Sequence, residues 1–147
     1  IVVSMAPPDQ RRTERGPYGI LERKYADKWK KQMRIVVGFF DKAREWDDLC
    51  AKEISLAITE GWCEVLEYMI LDDNDITDDG VLAMAAAVKT GNAPYLKKIT
   101  LENNPCSDEA VAELQAALDA NAAKTPGRPE LPPDIEPWQG EANEPGQ

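Results

Sequence analysis

Apolar and polar positions recur at a constant offset of thirty residues in the second half of the chain. The spacing Leu-x-x-Leu-x-Leu-x-x-Asn-x-Leu, with apolar substitutes in some Leu slots, starts once at residue 66 and again at residue 96. Alternating apolar residues are typical of a strand with one buried face, so we expect parallel neighbouring strands near 66–71 and 96–101. The framework positions are Leu66, Met69, Leu71, Asn74, Ile76, Leu96, Ile99, Leu101, Asn104 and Cys106.

A polar slot and a helix start follow each predicted strand. The amides of Asn74 and Asn104 can donate to and accept from backbone groups of their own turn and of the neighbouring turn. Thr77 and Ser107 then stand before pairs of acids, which is typical of a capped helix start whose dipole favours negative charge. The predicted helices span about residues 47–59, 78–90 and 108–122, on the outside of the strands.

The unit before residue 60 departs from the pattern. Asp41 and Arg44 occupy its Leu and Asn slots. Farther upstream, apolar residues at four-residue spacing predict an amphipathic helix over about 19–34, followed by the short strand "RIVVGFF". A single helix running on to about residue 45 is the alternative, although Gly38 weakens it by roughly 1 kcal/mol.

The repeated pattern resembles the leucine-rich repeat family, and its period is similar to that of the ribonuclease-inhibitor-like subclass. The resemblance covers about residues 47–122. It implies an α/β fold, namely a short solenoid of two full repeats and one degenerate repeat, with an N-terminal helical cap and extended termini. It also implies a binding scaffold. The implied parts are an extended basic arm at 1–18, the cap and degenerate first strand at 19–46, the repeats at 47–123 and a Pro-rich extended tail at 124–147.

Charge is distributed unevenly along the chain, whose net charge is −10. Residues 1–46 carry a net +5, whereas residues 47–123 carry a net −12. An acidic body repels phosphates, so we do not expect a nucleic-acid partner. The basic first third is expected to face the acidic body of this chain or an acidic partner, and contact with anionic membrane lipids or RNA is the alternative. No apolar run approaches the ~20 residues that span a bilayer, so we expect no transmembrane segment.

The sequence lacks the residue patterns of common catalytic and metal sites. It contains no histidine, the commonest general base, and its cysteines form no CxxC motif. The acidic stretch that starts at Asp72 does not fit an EF-hand loop, because Thr77 and Ala83 stand where Gly and Glu are needed. We therefore predict a chain that is not an enzyme and binds no metal or cofactor, and we interpret Cys106 as a small core residue.

These features predict a non-catalytic scaffold for protein–protein interaction. The leading hypothesis is a small structural subunit of a larger complex, whose acidic strand face and two tails hold other protein subunits. The alternative is a reversible recognition or regulatory leucine-rich-repeat module, including a GTPase-regulator-like one. We expect an intracellular location, in the cytoplasm or in an organelle after removal of a leader. The candidate partner-binding residues are Trp138, Pro132, Pro133, Arg11, Arg12, Glu67 and Glu102.

Overall fold

The computed structural model of the protein describes residues 2–3 and 26–124. Strands and helices alternate along this part of the chain, an order typical of α/β proteins with a parallel sheet. In chain order the elements are β1 (Val2–Val3), α1 (Ala26–Met33), β2 (Gly38–Phe40), α2 (Asp48–Thr59), β3 (Tyr68–Ile70), α3 (Asp78–Lys89), β4 (Lys98–Thr100) and α4 (Asp108–Ala122).

The strands form one parallel sheet in the order β1-β2-β3-β4. Its register aligns each residue of β2 with equivalents in β3 and β4, for example Phe39 with Met69 and Met69 with Ile99. Parallel neighbours need a crossover connection, which α2 supplies between β2 and β3 and α3 supplies between β3 and β4. The prediction of parallel neighbouring strands near 66–71 and 96–101 is confirmed.

Helices α2, α3 and α4 pack side by side and share one core with the sheet. Phe39, Met69 and Ile99 point from the strands into this core, where they meet apolar helix residues such as Ile54 and Met84. The helices begin and end within one residue of the predicted bounds, at 48–59, 78–89 and 108–122. These predictions are confirmed.

The chain between the first described helix and α2 contains a strand. Helix α1 ends at Met33 and β2 follows at Gly38–Phe40, so the short strand was predicted correctly and the single long helix is wrong. The predicted start of the helix near residue 19 lies outside the described residues. So do most of the predicted arm at 1–18 and of the predicted tail at 124–147.

The prediction of a leucine-rich-repeat solenoid is wrong as a description of this fold. The described chain is a helix-rich α/β unit with four helices and a small parallel sheet that does not close. A solenoid needs at least about three equivalent units to bury a continuous core. Only the units that start at Leu66 and Leu96 fill the pattern, because Asp41 and Arg44 interrupt the preceding one. The repeated spacing thus predicts local elements without producing a solenoid.

Candidate functional site

The chain bends in the same way after β2, β3 and β4. Ala43, Asp73 and Asn103 occupy equivalent positions in these bends and have φ values of +54°, +59° and +59°. The left-handed region is unfavourable for most residues other than Gly, Asn and Asp, so the surrounding contacts must impose it on Ala43. The side-chain Nδ2 of Asn103 donates to Asp73 Oδ1 at 2.7 Å and joins two of the bends at the surface.

Asn74 holds two successive bends together from inside. Its Oδ1 accepts from the backbone N–H groups of Arg44 at 2.9 Å and Trp46 at 3.0 Å. Its Nδ2 donates to the carbonyl oxygens of Asp41 at 2.8 Å and Leu71 at 2.9 Å. Asn74 is 5% exposed, so its amide satisfies backbone groups that water does not reach. The bend that precedes α2 is therefore fixed by one side chain.

Asn104 repeats this arrangement one unit later with fewer bonds. Its Oδ1 accepts from the Ile76 N–H at 3.1 Å, and its Nδ2 donates to the carbonyl oxygens of Leu71 at 2.9 Å and Glu102 at 3.3 Å. The side chain is half-buried because it lies near β4, the last strand of the described sheet. Both asparagines thus stiffen the end of the sheet at which the strands terminate.

An aspartate at the start of one helix caps the start of the next helix. Asp48 Oδ1 accepts from the N–H groups of Thr77 at 2.8 Å and Gly80 at 3.1 Å, and its Oδ2 accepts from the Thr77 hydroxyl at 2.5 Å. Asp78 accepts from the Ser107 N–H at 2.6 Å and from the Ser107 hydroxyl at 2.9 Å. Because helix N-termini favour negative charge, these carboxylates stabilise the stacked helices.

The sheet surface that points away from the core is the candidate functional site, and we call it the open face. Successive strand residues point to opposite faces, so the neighbours of the inward residues form this surface. Its centre is aromatic and aliphatic, in contrast to the acidic strand face that the sequence predicted. The open face consists of two rows across the strands, first Gly38, Tyr68 and Lys98, then Phe40, Ile70 and Thr100.

Tyr68 lies at the middle of the open face. A Cβ atom added to Gly38 would overlap the Tyr68 ring, so the ring lies across the neighbouring strand. Glycine inside a strand commonly marks such a close approach. Burial, and to a smaller extent the charge of Glu67, raise the pKa of the Tyr68 hydroxyl. Tyr68 therefore stays neutral near pH 7 and presents both an aromatic surface and a hydroxyl group.

Charged groups flank the open face at both ends of the strands. Glu67 precedes β3, is largely buried and pairs with the exposed Lys97 at 3.4 Å. At the other end, Asp72 Oδ1 accepts from the Glu102 N–H at 2.9 Å, and the Glu102 side chain is exposed. The sequence candidates Glu67 and Glu102 therefore lie at opposite ends of the strands, on the rim of the open face.

The framework positions of the sequence pattern form the interior of the fold. Met69 and Ile99 are buried beneath the open face, so the framework residues support the candidate site and do not form its surface. Buried with them are Leu66, Leu71, Ile76, Leu96 and Leu101, whereas Cys106 is half-buried. The remaining candidates, Arg11, Arg12, Pro132, Pro133 and Trp138, lie outside the described residues.

Sequence reasoning missed the central residues of the open face. Phe40, Tyr68 and Ile70 fall between framework slots, and Gly38 counted only as a helix breaker. A usable signal was nevertheless present, because Gly38 stands thirty residues before Tyr68. A glycine aligned with a large aromatic residue on the next parallel strand indicates that the ring lies over it.

Thiol and metal chemistry find little support in the described chain. Cys50, Cys63 and Cys106 are not joined by disulfide bonds in the described chain. Burial raises the pKa of the Cys63 thiol to about 12 and also raises that of Cys106. A protonated thiol is a poor nucleophile and a poor metal ligand. Within residues 2–3 and 26–124, no group of three or more acidic or cysteine side chains is arranged to hold a metal ion.

Two shallow grooves lie away from the open face. One follows α1 and is lined by Lys30, Lys31, Arg34 and Trp62, with Glu64 at its side. The other lies between the ends of α3 and α4, where Ala116, Ala117 and Ala120 line it together with the charged residues Lys89 and Glu113. Both grooves carry basic and acidic side chains, and neither contains a residue of the open face.

The helices of the described part give no sign of a membrane-crossing segment. Among residues 2–3 and 26–124, no helix combines the length and the apolar character needed to pass through a bilayer.

Comparisons with known proteins do not assign the chain to a family. No protein-family model matches it, and no curated protein matches it. The resemblance to the leucine-rich repeat family therefore stays a prediction from the spacing.

Proposed function

We propose that this chain is a non-catalytic scaffold for protein–protein interaction, a small structural subunit of a larger complex, and that its open face binds a neighbouring protein. The observation that carries the proposal is the aromatic and aliphatic centre of that face. Phe40 is aligned with Ile70 on the neighbouring strand, and Tyr68 lies two residues before Ile70 on the same face. All three side chains are half-buried, so each keeps part of its surface accessible. Aromatic side chains are enriched at the centres of protein interfaces.

The backbone beneath the open face is well suited to binding because it is held in place before a partner arrives. The inward strand residues are buried in the core, and Asn74 and Asn104 tie the strand ends to each other. A surface that is ordered in advance loses less conformational entropy on association. The open face can therefore bind a partner through a smaller contact area than a surface that becomes ordered only on binding.

The charges around the open face indicate the chemistry of the partner. Asp72, Asp73 and Glu102 follow the strands, and the body of the chain carries most of the negative charge. A partner with Arg or Lys side chains around an apolar residue matches this surface. An arginine can stack on the Tyr68 ring, which contributes about 0.5–2 kcal/mol. The acidic rim then orients the encounter.

Site-specific photo-cross-linking in native extract tests the proposal. A photoreactive amino acid at Ile70 is expected to capture a protein with a basic segment. The same group at Leu82, which is 39% exposed on α3, is the matched control. With the purified partner, Tyr68→Ala should weaken binding by about tenfold or more, as for an aromatic hot spot, whereas Leu82→Ala should leave it unchanged. Equal affinities for both variants and the wild type would overturn the proposal.

The terminal segments supply a second contact in this proposal. The sequence candidate Trp138 stands in a Pro-rich segment, and a chain stiffened by proline loses less entropy when it docks. Deletion of residues 126–147 should therefore leave the urea midpoint unchanged and weaken association with the same purified partner. A truncated chain that binds with full affinity would show that residues 126–147 make no contact that contributes to binding, and that the open face alone binds the partner.

A further inference from the structure

Strand β4 ends the described sheet and leaves one backbone edge open. The carbonyl oxygens of Thr100 and Glu102 accept from Leu71 N–H at 3.0 Å and Asp73 N–H at 2.8 Å, so both point toward β3. Alternate strand residues point their backbone groups in opposite directions. The N–H and C=O groups of the intervening residues therefore point away from β3, toward the open edge.

Side chains of opposite charge stand at the two ends of this edge, Lys98 in β4 and Glu102 in the turn that directly follows it. Lys98 and Glu102 are both exposed, and neither has an ion-pair partner within residues 26–124. The neighbouring Lys97, by contrast, pairs with Glu67. The hydroxyl of Thr100, midway between the two charges, is buried and has no hydrogen-bond partner in the described part of the chain.

The order of charges along this edge, Lys98 before Glu102, is complementary to the same edge of a second copy that runs in the opposite direction. In an antiparallel pair with two-fold symmetry, only outward backbone groups exchange hydrogen bonds, so the axis passes through residue 99, 100 or 101. An axis at Ile99 places Lys98 opposite Thr100, and an axis at Leu101 places Glu102 opposite Thr100. An axis at Thr100 places Lys98 opposite Glu102 of the second copy, twice by symmetry. Charge selects this last register.

We infer that β4 is a homodimer edge, on which a second copy of this chain pairs its own β4 in antiparallel orientation about a two-fold axis at Thr100. Ile99 and Leu101 then exchange backbone hydrogen bonds with Leu101 and Ile99 of the second copy. The two Thr100 residues then face each other as a non-hydrogen-bonded pair, in which opposite Cα atoms lie closest. This inference does not rest on the proposed function, because it is argued from the strand edge, and it leaves Phe40, Tyr68 and Ile70 accessible although Lys98 and Glu102 are engaged.

Lysine on an edge strand commonly prevents such pairing, and here it restricts the pairing to one register. A pair of Lys98 with a second Lys98, or of Lys98 with an apolar residue, does not stabilise the strand pairing. Opposite charges directly across an antiparallel pair are favourable, and like charges are unfavourable. The edge is therefore protected against most partners and open to its own copy.

A charge-reversal series on the full chain tests the homodimer. Sedimentation equilibrium should show a concentration-dependent dimer for the wild type and about a tenfold higher dissociation constant for Lys98→Glu and for Glu102→Lys. The double variant Lys98→Glu/Glu102→Lys restores every cross-strand pair with the signs exchanged, so it should dimerise like the wild type. Lys52→Glu, an exposed charge change on α2, is the matched control and should dimerise normally.

A cross-link and an exchange measurement complete the test. Thr100→Cys should form a disulfide between two copies under mild oxidation, with the linkage mapped by mass spectrometry, and Lys52→Cys should not. A wild-type chain that stays monomeric overturns the inference, as does a folded double variant that does not recover. A monomer whose Ile99 and Leu101 amides resist hydrogen exchange would show that another segment of the same chain covers the edge, and this result also overturns it.

Discussion

The ring of Tyr68 occupies the position that a side chain on Gly38 would fill. The two residues pair across β2 and β3, so the absence of a Cβ atom on one strand makes room for an aromatic side chain on the next. The arrangement buries Gly38 and keeps part of Tyr68 accessible. The open face therefore owes its central aromatic surface to a glycine on the neighbouring strand.

Gly38→Ala tests this relationship. Alanine normally suits a strand better than glycine by roughly 0.5–1 kcal/mol, so a stabilising effect is the default. The overlap with the Tyr68 ring reverses the sign, and we expect a loss of about 1–3 kcal/mol in the free energy of unfolding. In a Tyr68→Ala background the same substitution should cost little or be favourable. Urea unfolding of the four chains gives the coupling energy, and additive effects would contradict the predicted contact.

Asn74 and Asn104 should differ in their contribution to stability. Asn74→Ala leaves buried backbone groups of two bends without partners, which costs about 1–3 kcal/mol. Asn104→Ala should fall at the low end of that range, because Asn104 is half-buried and water can replace part of its contacts. Urea unfolding of both variants measures the difference. Unchanged urea midpoints for both variants would show that the side-chain amides of Asn74 and Asn104 do not contribute to the stability of the fold.

The helices and the inward strand residues could be predicted from the sequence because each carries a local signal. A polar cap followed by apolar residues at helical spacing gave α2, α3 and α4 within one residue. The strands were predicted too long, since 66–71 and 96–101 contain only three paired residues each, at 68–70 and 98–100. The flanking residues make isolated backbone bonds between neighbouring units, such as Leu71 N–H to the Thr100 carbonyl oxygen at 3.0 Å, without regular strand pairing.

The remaining features depend on contacts between distant segments, which periodicity does not record. The two-residue strand Val2–Val3 has no repeating pattern and is defined only by its pairing with β2. The solenoid was predicted from the spacing within each unit, whereas a solenoid depends on the number of equivalent neighbours. The open-face centre was missed because its residues lie between framework slots, and the alignment of Gly38 with Tyr68 at the thirty-residue offset is the one signal that marks them.

Helix α3 should depend on Asp48 more than α4 depends on Asp78. The Thr77 hydroxyl donates to Asp48, and the Thr77 side chain makes no capping bond to its own helix. The Ser107 side chain, in contrast, accepts from the N–H of Ala110 and caps α4 directly. Loss of a cap costs about 0.5–2 kcal/mol in the free energy of unfolding. We expect the loss for Asp48→Ala near the upper end of this range and the loss for Asp78→Ala near the lower end.

Asp79→Ala is the control for the Asp48 prediction. Asp79 is exposed in the first turn of α3, so it contributes only through the helix dipole, by about 0.3–1 kcal/mol. Thermal unfolding monitored by circular dichroism ranks the variants. If Asp48→Ala destabilises the chain no more than Asp79→Ala, the bond between neighbouring helices does not cap α3.

The buried thiol of Cys63 should make the fold less stable in alkaline solution. Burial raises its pKa from 9.0 to about 12, so the folded chain keeps a proton that the unfolded chain releases. The contribution of Cys63 to stability is therefore complete below pH 9.0 and is lost as the pH rises toward 12. Within that window the free energy of unfolding should fall by up to about 1.4 kcal/mol per pH unit from this group.

Cys63→Ala should remove that part of the slope in urea titrations between about pH 8 and 10.5, while the contribution of Tyr68, whose pKa is also raised, stays in both chains. Identical slopes for the two chains would show that the Cys63 thiol reaches solvent and ionises as it does in the unfolded state.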